Sequence, residues 1–237
     1  YPLFMLGRWD EALAAFAEVP EEHLHEGTTE SFLSSLPEIH IARGELETAT
    51  RVVSLYEAYA DSENLQRRSM YLAGAAVLAR AEGRLEDALD LGLAAIEAAS
   101  STENLSHQAA KLGLVEAAEA ALALGQRERA DELVSSIEAV APGFRSPYLS
   151  AQAIRLRARM TDAEEDAVEK YTAAAKRFSE LKIPFWLAVT LLELGELTGD
   201  EEALAEAREV FERLRATPWL ERADAVAARQ PTAAAPA

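Results

Sequence analysis

The side chains of this chain best suited to recognition are basic and aromatic residues set three or four apart. Tyr148, Gln152, Arg155 and Arg159 follow that spacing and share one face if their segment is helical. His107 and Lys111 stand four apart in the segment before, and Arg67 and Tyr71 four apart in an earlier one. Such a row offers guanidinium forks to carboxylate or phosphate groups, which suits an acidic peptide or a small anionic ligand. The competing reading is that neighbouring glutamates neutralise these arginines, the common fate of charge clusters on helices. Catalytic signatures do not appear in the sequence. It holds no Gly-x4-Gly-Lys-Ser/Thr phosphate loop, no Gly-x-Ser-x-Gly elbow and no His-Glu-x-x-His. Carboxylate pairs such as Glu21/Glu22, Glu164/Glu165 and Glu201/Glu202 fall at expected helix starts, where they complement the macrodipole. His23 and His25 form a His-x-His, but no third ligand stands at a recognisable spacing, so no metal or cofactor is expected. The expectation is a non-catalytic binding module.

Composition narrows the partners. The 237 residues carry 41 Asp+Glu against 23 Lys+Arg, a formal charge of −18, which disfavours nucleic acid and anionic lipid. The absence of cysteine removes disulfides, thiolate metal sites and thiol nucleophiles, and fits a cytoplasmic protein. An apolar fraction of 49% supplies a core, yet no run approaches the roughly 20 residues that span a bilayer.

The elements that must position the row come from an internal repeat. Gly7-Arg8-Trp9-Asp10-Glu11-Ala12, Gly44-Glu45-Leu46-Glu47-Thr48-Ala49, Gly83-Arg84-Leu85-Glu86-Asp87-Ala88 and Gly125-Gln126-Arg127-Glu128-Arg129-Ala130 share Gly-x4-Ala. Asp162 to Ala167 keeps the spacing without the Gly, and a copy at Gly199 and Ala203 is one residue short. The alanines stand at 12, 49, 88, 130, 167 and 203. A second marker agrees, since Ser62-Glu63-Asn64-Leu65 returns as Thr102-Glu103-Asn104-Leu105. Each Gly suits a left-handed turn between two helices, acidic residues favour the start of the second helix, and the small Ala permits close helix approach.

Apolar residues after each Ala recur with helical period, and no stretch alternates with period two, which predicts an all-α fold. First helices are expected near 29–43, 63–82, 103–124, 147–160 and 184–197. Second helices are expected near 8–18, 45–59, 84–99, 126–140, 162–180 and 200–214. Pro37 should kink or split its segment, whereas Pro147 and Pro184 suit helix starts. Paired helices at this period predict a right-handed α-solenoid of about six repeats over 1–215, with a concave face lined by the first helices. A capping helix at 216–229 and a flexible Pro/Ala tail at 230–237 complete the expected organisation. The chain starts at Tyr1, and Leu3, Phe4 and Leu6 read as the last turn of a helix, so a fragment with a truncated first repeat is expected. Trp9, Leu13 and Phe16 would then form an exposed interface for a second copy or for upstream domains.

The pattern Gly-x-(aromatic or Leu)-acidic-acidic-Ala-Leu, with Phe16 and Tyr171 four residues after an Ala, resembles the tetratricopeptide repeat. The period is longer than the usual tetratricopeptide one. The stretch from Ala203 through Phe211 and Leu214 to Trp219 and Ala223 resembles the closing helices of bacterial class III adenylate/guanylate cyclases with an AAA-type ATPase, or of large LuxR-type, maltose-regulator-like factors. The resemblance implies a regulatory arm that binds a protein, a peptide or a small ligand on its concave groove. The few residues after Arg222 are too short for a DNA-binding domain, which favours the cyclase-type parent over a transcription-factor effector domain.

Overall fold

The computed structural model describes residues 1–26, 29–103, 105 and 107–229. The described residues are helical, with no strand among them. In chain order the helices are α1 (Pro2–Met5), α2 (Trp9–Ala17), α3 (Leu36–Ala42), α4 (Leu46–Ser54), α5 (Leu65–Ala81), α6 (Leu85–Glu103) and α7 (Gln108–Ala123). They continue as α8 (Arg127–Glu138), α9 (Pro147–Arg159), α10 (Glu164–Glu180), α11 (Pro184–Thr198), α12 (Glu201–Leu214) and α13 (Thr217–Arg229). Each packs against its neighbours in sequence, and the first helices of successive pairs also touch, α3 with α5, α5 with α7 and α7 with α9.

Local chemistry accounts for the boundaries. All five repeat glycines, Gly7, Gly44, Gly83, Gly125 and Gly199, take φ between 70° and 82°, the left-handed turn that their spacing predicts. At Gly7 the close approach of Pro184, whose Cγ would stand 2.7 Å from an added Cβ, excludes a side chain as well. Pro37 splits its segment as expected, into a 3-10 run Thr29–Ser34 and α3, which carries the proline in its first turn. Asn64 caps α5 by accepting from the backbone N–H of Gln66 and Arg67, and Asp200 caps α12 in the same way. Asp200→Ala is expected to lower stability by about 1 kcal/mol, read as a shift in a urea unfolding midpoint.

Two turns escape the glycine rule. Lys182 and Arg215 adopt φ of 56° and 58° after α10 and α12, a conformation that costs a residue with a Cβ about 1–2 kcal/mol. Lys182→Gly is expected to raise stability by about 0.5 kcal/mol, because the relieved strain exceeds the added freedom of the unfolded chain. A thermal melt reads that sign.

Three expectations need correction. The helix expected to start at 103 starts at Gln108, because α6 runs on to Glu103 and His107 provides the cap, its Nδ1 accepting from the Ala109 N–H at 3.3 Å. Asn104 lies outside the described residues, as does the 230–237 tail. The second helix at 45–59 ends at Ser54, followed by a short 3-10 turn Glu57–Tyr59.

The third correction is larger, because Trp9 is not exposed. It is 1% accessible, with its indole N–H donating to the Phe4 carbonyl at 3.1 Å. Leu13 and Phe16 are partly buried, and Phe16 packs edge-on against Phe32. An open arc would keep the first and last helix pairs apart, whereas here they meet. Phe185 of α11 is the hub, with ring centroids of Phe4, Trp9, Trp186, Phe211 and Trp219 all 5.2–6.4 Å away. Arg43, after α3, donates to the Leu214 carbonyl at 3.1 Å and to Asp10 at 2.8 Å, and Asp10 also pairs with Arg215. Burial of the aromatic hub is the larger stabilising term, since the Asp10 carboxylate is exposed and its pairs are screened.

Candidate functional site

A ladder of opposite charges runs across the first helices. Its carboxyls are Glu38 on α3, Glu116 and Glu119 on α7, and Glu193 and Glu196 on α11. Its cations are Arg80 on α5, Arg155 and Arg159 on α9, and Arg222 on α13. The sign alternates from each of these helices to the next.

Arg80 grips Glu116 with both carboxylate oxygens engaged, Nε at 2.6 Å and Nη2 at 3.2 Å. Arg155 grips Glu193 in the same two-pronged way, at 2.8 and 2.7 Å. Its Nη1 donates to Gln152 Oε1 at 3.1 Å, and Gln152 Nε2 donates to the Tyr148 hydroxyl at 3.1 Å. Arg159 donates to Glu119, and Arg222 grips Glu196 at 2.7 and 2.6 Å. Glu116, Glu119, Glu193 and Arg155 are all buried. Unpaired, each would carry a large desolvation cost; paired in this forked geometry they fix which helix lies beside which.

Protonation follows the pairing. Burial opposes ionisation of Glu119, but the charges of Arg155, Arg159 and Arg80 outweigh it and hold the carboxyl well below its usual range. Burial likewise opposes the charge on Arg155, and Glu119 with Glu193 reverses that and raises its pKa. Glu38 goes the other way: burial and the nearby Glu116 charge push it well above its ordinary 4.5, against the pull of Arg80. The folded state therefore holds the Glu38 proton more tightly than the unfolded chain. Its contribution to stability is complete below pH 4.5 and is lost as pH rises through the elevated folded-state value. Glu38→Gln, which mimics the protonated acid, is expected to stabilise the protein at pH 8 and to leave it unchanged at pH 4. Urea melts at the two pH values read that difference.

The ladder forms the wall of a cavity of about 340 Å³. Its apolar lining includes Val77, Phe185, Trp186 and Trp219, and its polar lining Glu38, Arg80, Glu119, Arg155, Arg159, Glu193 and Arg222. Arg155 lies over the Trp186 ring, 4.9 Å from its centroid, and Arg222 over Trp219 at 5.5 Å. Ala81 and Ala123, at the ends of α5 and α7, are exposed and mark an opening.

The predicted basic row is divided. Of its eight members, the cavity is lined by Arg155 and Arg159, both neutralised by glutamates, as the competing reading held. Tyr148 and Gln152 are buried behind Arg155 as a hydrogen-bond chain rather than presented to a ligand. His107 is a helix cap, and Lys111 is half-buried one turn later, its pKa lowered by burial. Arg67 lies over the Tyr59 ring at 5.1 Å and donates to the His25 carbonyl at 3.3 Å, away from the cavity, while Tyr71 packs between two smaller apolar clusters. His23 contacts Glu26 at 2.8 Å, His25 stacks edge-on against Tyr56 and Tyr59, and His40 contacts Glu45 at 2.6 Å.

Sequence reasoning missed Arg80, Glu116, Glu119 and Glu193. The missed signal was the lone glutamates inside otherwise apolar helices, in Leu114-Val115-Glu116-Ala117-Ala118-Glu119-Ala120 and Leu192-Glu193-Leu194. A carboxylate in such a setting demands a buried partner. The partners stand 36 to 40 residues away, about one repeat.

Among the described residues no helix is long and apolar enough to cross a membrane. No protein-family model, no curated protein and no solved structure matches this chain, so the site is read from its own geometry.

Proposed function

We propose that the chain is an array of about six tetratricopeptide-like helix pairs wound as a right-handed solenoid. In this reading it serves in the cytoplasm as the non-catalytic sensor or scaffold arm of a bacterial multidomain signalling protein of the cyclase or ATPase type. Support for the repeat comes from five left-handed glycines at equivalent hinges and from ion pairs that join first helices about one repeat apart. The observation that carries the binding role is the cavity between the first helices. Its arginines and most of its glutamates are engaged with one another, so the wall holds a shape rather than presenting a free acid or base to a reacting atom. The same pairing withdraws the support for an anionic ligand, because the arginines that suggested it are neutralised. Burial of Trp9 likewise withdraws the support for a dimer through that residue.

A sensor of this kind works by differential affinity: an occupant that fits one arrangement of the helices shifts the population toward it. The genomic frame around the chain tests the parentage. A phosphate-loop ATPase and a cyclase domain upstream are expected. An N-terminal helix-turn-helix would instead support a transcription-factor effector domain, and a frame encoding no further domain would overturn the arm reading.

A further inference from the structure

The charges of the ladder match one to one, save for a single carboxyl. Arg80 pairs with Glu116, Arg155 with Glu193, Arg159 with Glu119 and Arg222 with Glu196. Glu38 is the fifth acid, and no cation is left for it. It is 8% exposed, lines the cavity, and has no hydrogen bond or ion pair among the described residues. Unlike Glu119 Oε1, its oxygens keep accessible surface. The titratable and charged groups that act on it are Arg80 on α5, Glu116 on α7, Tyr148 on α9 and Tyr1 beside α1. Burial pushes both phenols above their ordinary 10, so they stay neutral, and Arg80 is committed to Glu116. A carboxyl so placed either keeps its proton or meets a cation brought in from outside.

We infer that the cavity binds an arylalkyl amine, a primary ammonium carried on one aromatic ring, with the ammonium against Glu38 and the ring against the aromatic wall. The sign comes from the count: with Glu38 ionised, five carboxylates face four guanidinium groups, and one monovalent cation restores balance. An ammonium donating to a carboxylate makes a charge-assisted hydrogen bond, stronger than a neutral one and stronger still away from bulk water. A metal ion lacks ligands here, since no group of three His, Asp or Glu side chains among the described residues could hold one. The body of the ligand is set by the rest of the lining. Phe185, Trp186 and Trp219 supply flat apolar surface for a ring, and Ile41, Val77 and Leu85 add aliphatic surface. A volume of about 340 Å³ lies at the small end of the roughly 300–1,000 Å³ typical of ligand sites and suits a single ring system.

This inference rests on the cavity reading above and names its ligand class. Its test is calorimetry of the whole chain at pH 8 with benzylamine and phenethylamine, with benzyl alcohol, phenylacetate and methylammonium as contrasts. At least one of the two amines is expected to bind saturably and at least tenfold tighter than any contrast. Glu38→Gln keeps the shape of the side chain and removes its charge, so affinity should fall about tenfold or more while the thermal melt stays at or above that of the wild type. Because the amine displaces the Glu38 proton, its affinity for the wild type should rise from pH 5 to pH 8. At pH 7, heats in phosphate and in Tris should show release of up to one proton, and Glu38→Gln should show none. Ala123→Phe, at the exposed mouth, should abolish binding while leaving the thermal melt in place. Methylammonium binding as tightly as the amines, or Ala123→Phe binding as the wild type does, would place the cation on the acidic surface and overturn the inference. Benzyl alcohol binding as tightly as the amines, or a Glu38→Gln variant that binds them unchanged, overturns the cation class but keeps the cavity as a site. No binding by either amine also overturns the class, and it leaves a protein-binding arm standing.

Discussion

Arg155→Ala is expected to lower stability by about 3–5 kcal/mol, a cost typical of removing one partner from a buried ion pair. The size follows from what remains: Glu193 stays buried having lost its closest cation, Glu119 loses one of its two ion-pair partners, and Trp186 loses the guanidinium above its ring. Arg159 cannot replace it, since its Nε stands 3.9 Å from Glu193 and its Nη1 is committed to Glu119. Urea unfolding of the single variant, of Glu193→Leu and of Arg155→Met combined with Glu193→Leu forms a double-mutant cycle. The combined variant is expected to recover much of the loss, because removing both charges together leaves neither stranded in the core. By contrast, breaking the exposed Arg129–Glu132 pair should cost well under 1 kcal/mol. If Arg155→Ala costs no more than that surface pair, the ladder contributes nothing to holding the helices in order.

Gly113→Ala should reverse an ordinary rule. In an open helix interior the change gains about 1 kcal/mol. Here α6 and α7 cross so closely that a Cβ on Gly113 would stand 2.7 Å from the Gly92 carbonyl oxygen, and one on Gly92 would stand 2.8 Å from that of Gly113. Backbone cannot swing aside as a flexible side chain does, so the helices must separate along their length. The expected loss is about 1–3 kcal/mol, the range of overpacked cores. A gain in thermal stability would mean that the crossing is looser than these distances require.

The fold was legible because its signal is repetitive. A Gly that needs a left-handed turn, followed five residues later by a small Ala, recurs often enough to override errors at single boundaries, and Pro37, Pro147 and Pro184 act where their chemistry dictates. The candidate site was half legible. Arg155 and Arg159 stand out on their own helix, but helical spacing reports a shared face and not what covers it. The coverage comes from Glu119 and Glu193, on helices that precede and follow α9, and one helical period cannot link them. The repeat period can, since residues one repeat apart lie side by side on neighbouring first helices. The meeting of the chain's two ends around Phe185 has no local signal. It depends on contacts between segments far apart in sequence, so Trp9 reads as exposed in the sequence and is buried in the fold.

The account's central claim is that this region binds and regulates rather than reacts. Nucleotide turnover by the parent protein that the proposed function calls for, compared with that of a form lacking this chain and with that of the chain alone, tests it most directly. The account predicts no turnover by the region alone, and a catalytic core that keeps its activity without the region while losing its response to the region's ligand or partner. Turnover by the isolated region, abolished by changing Glu38 or Glu119, would contradict it.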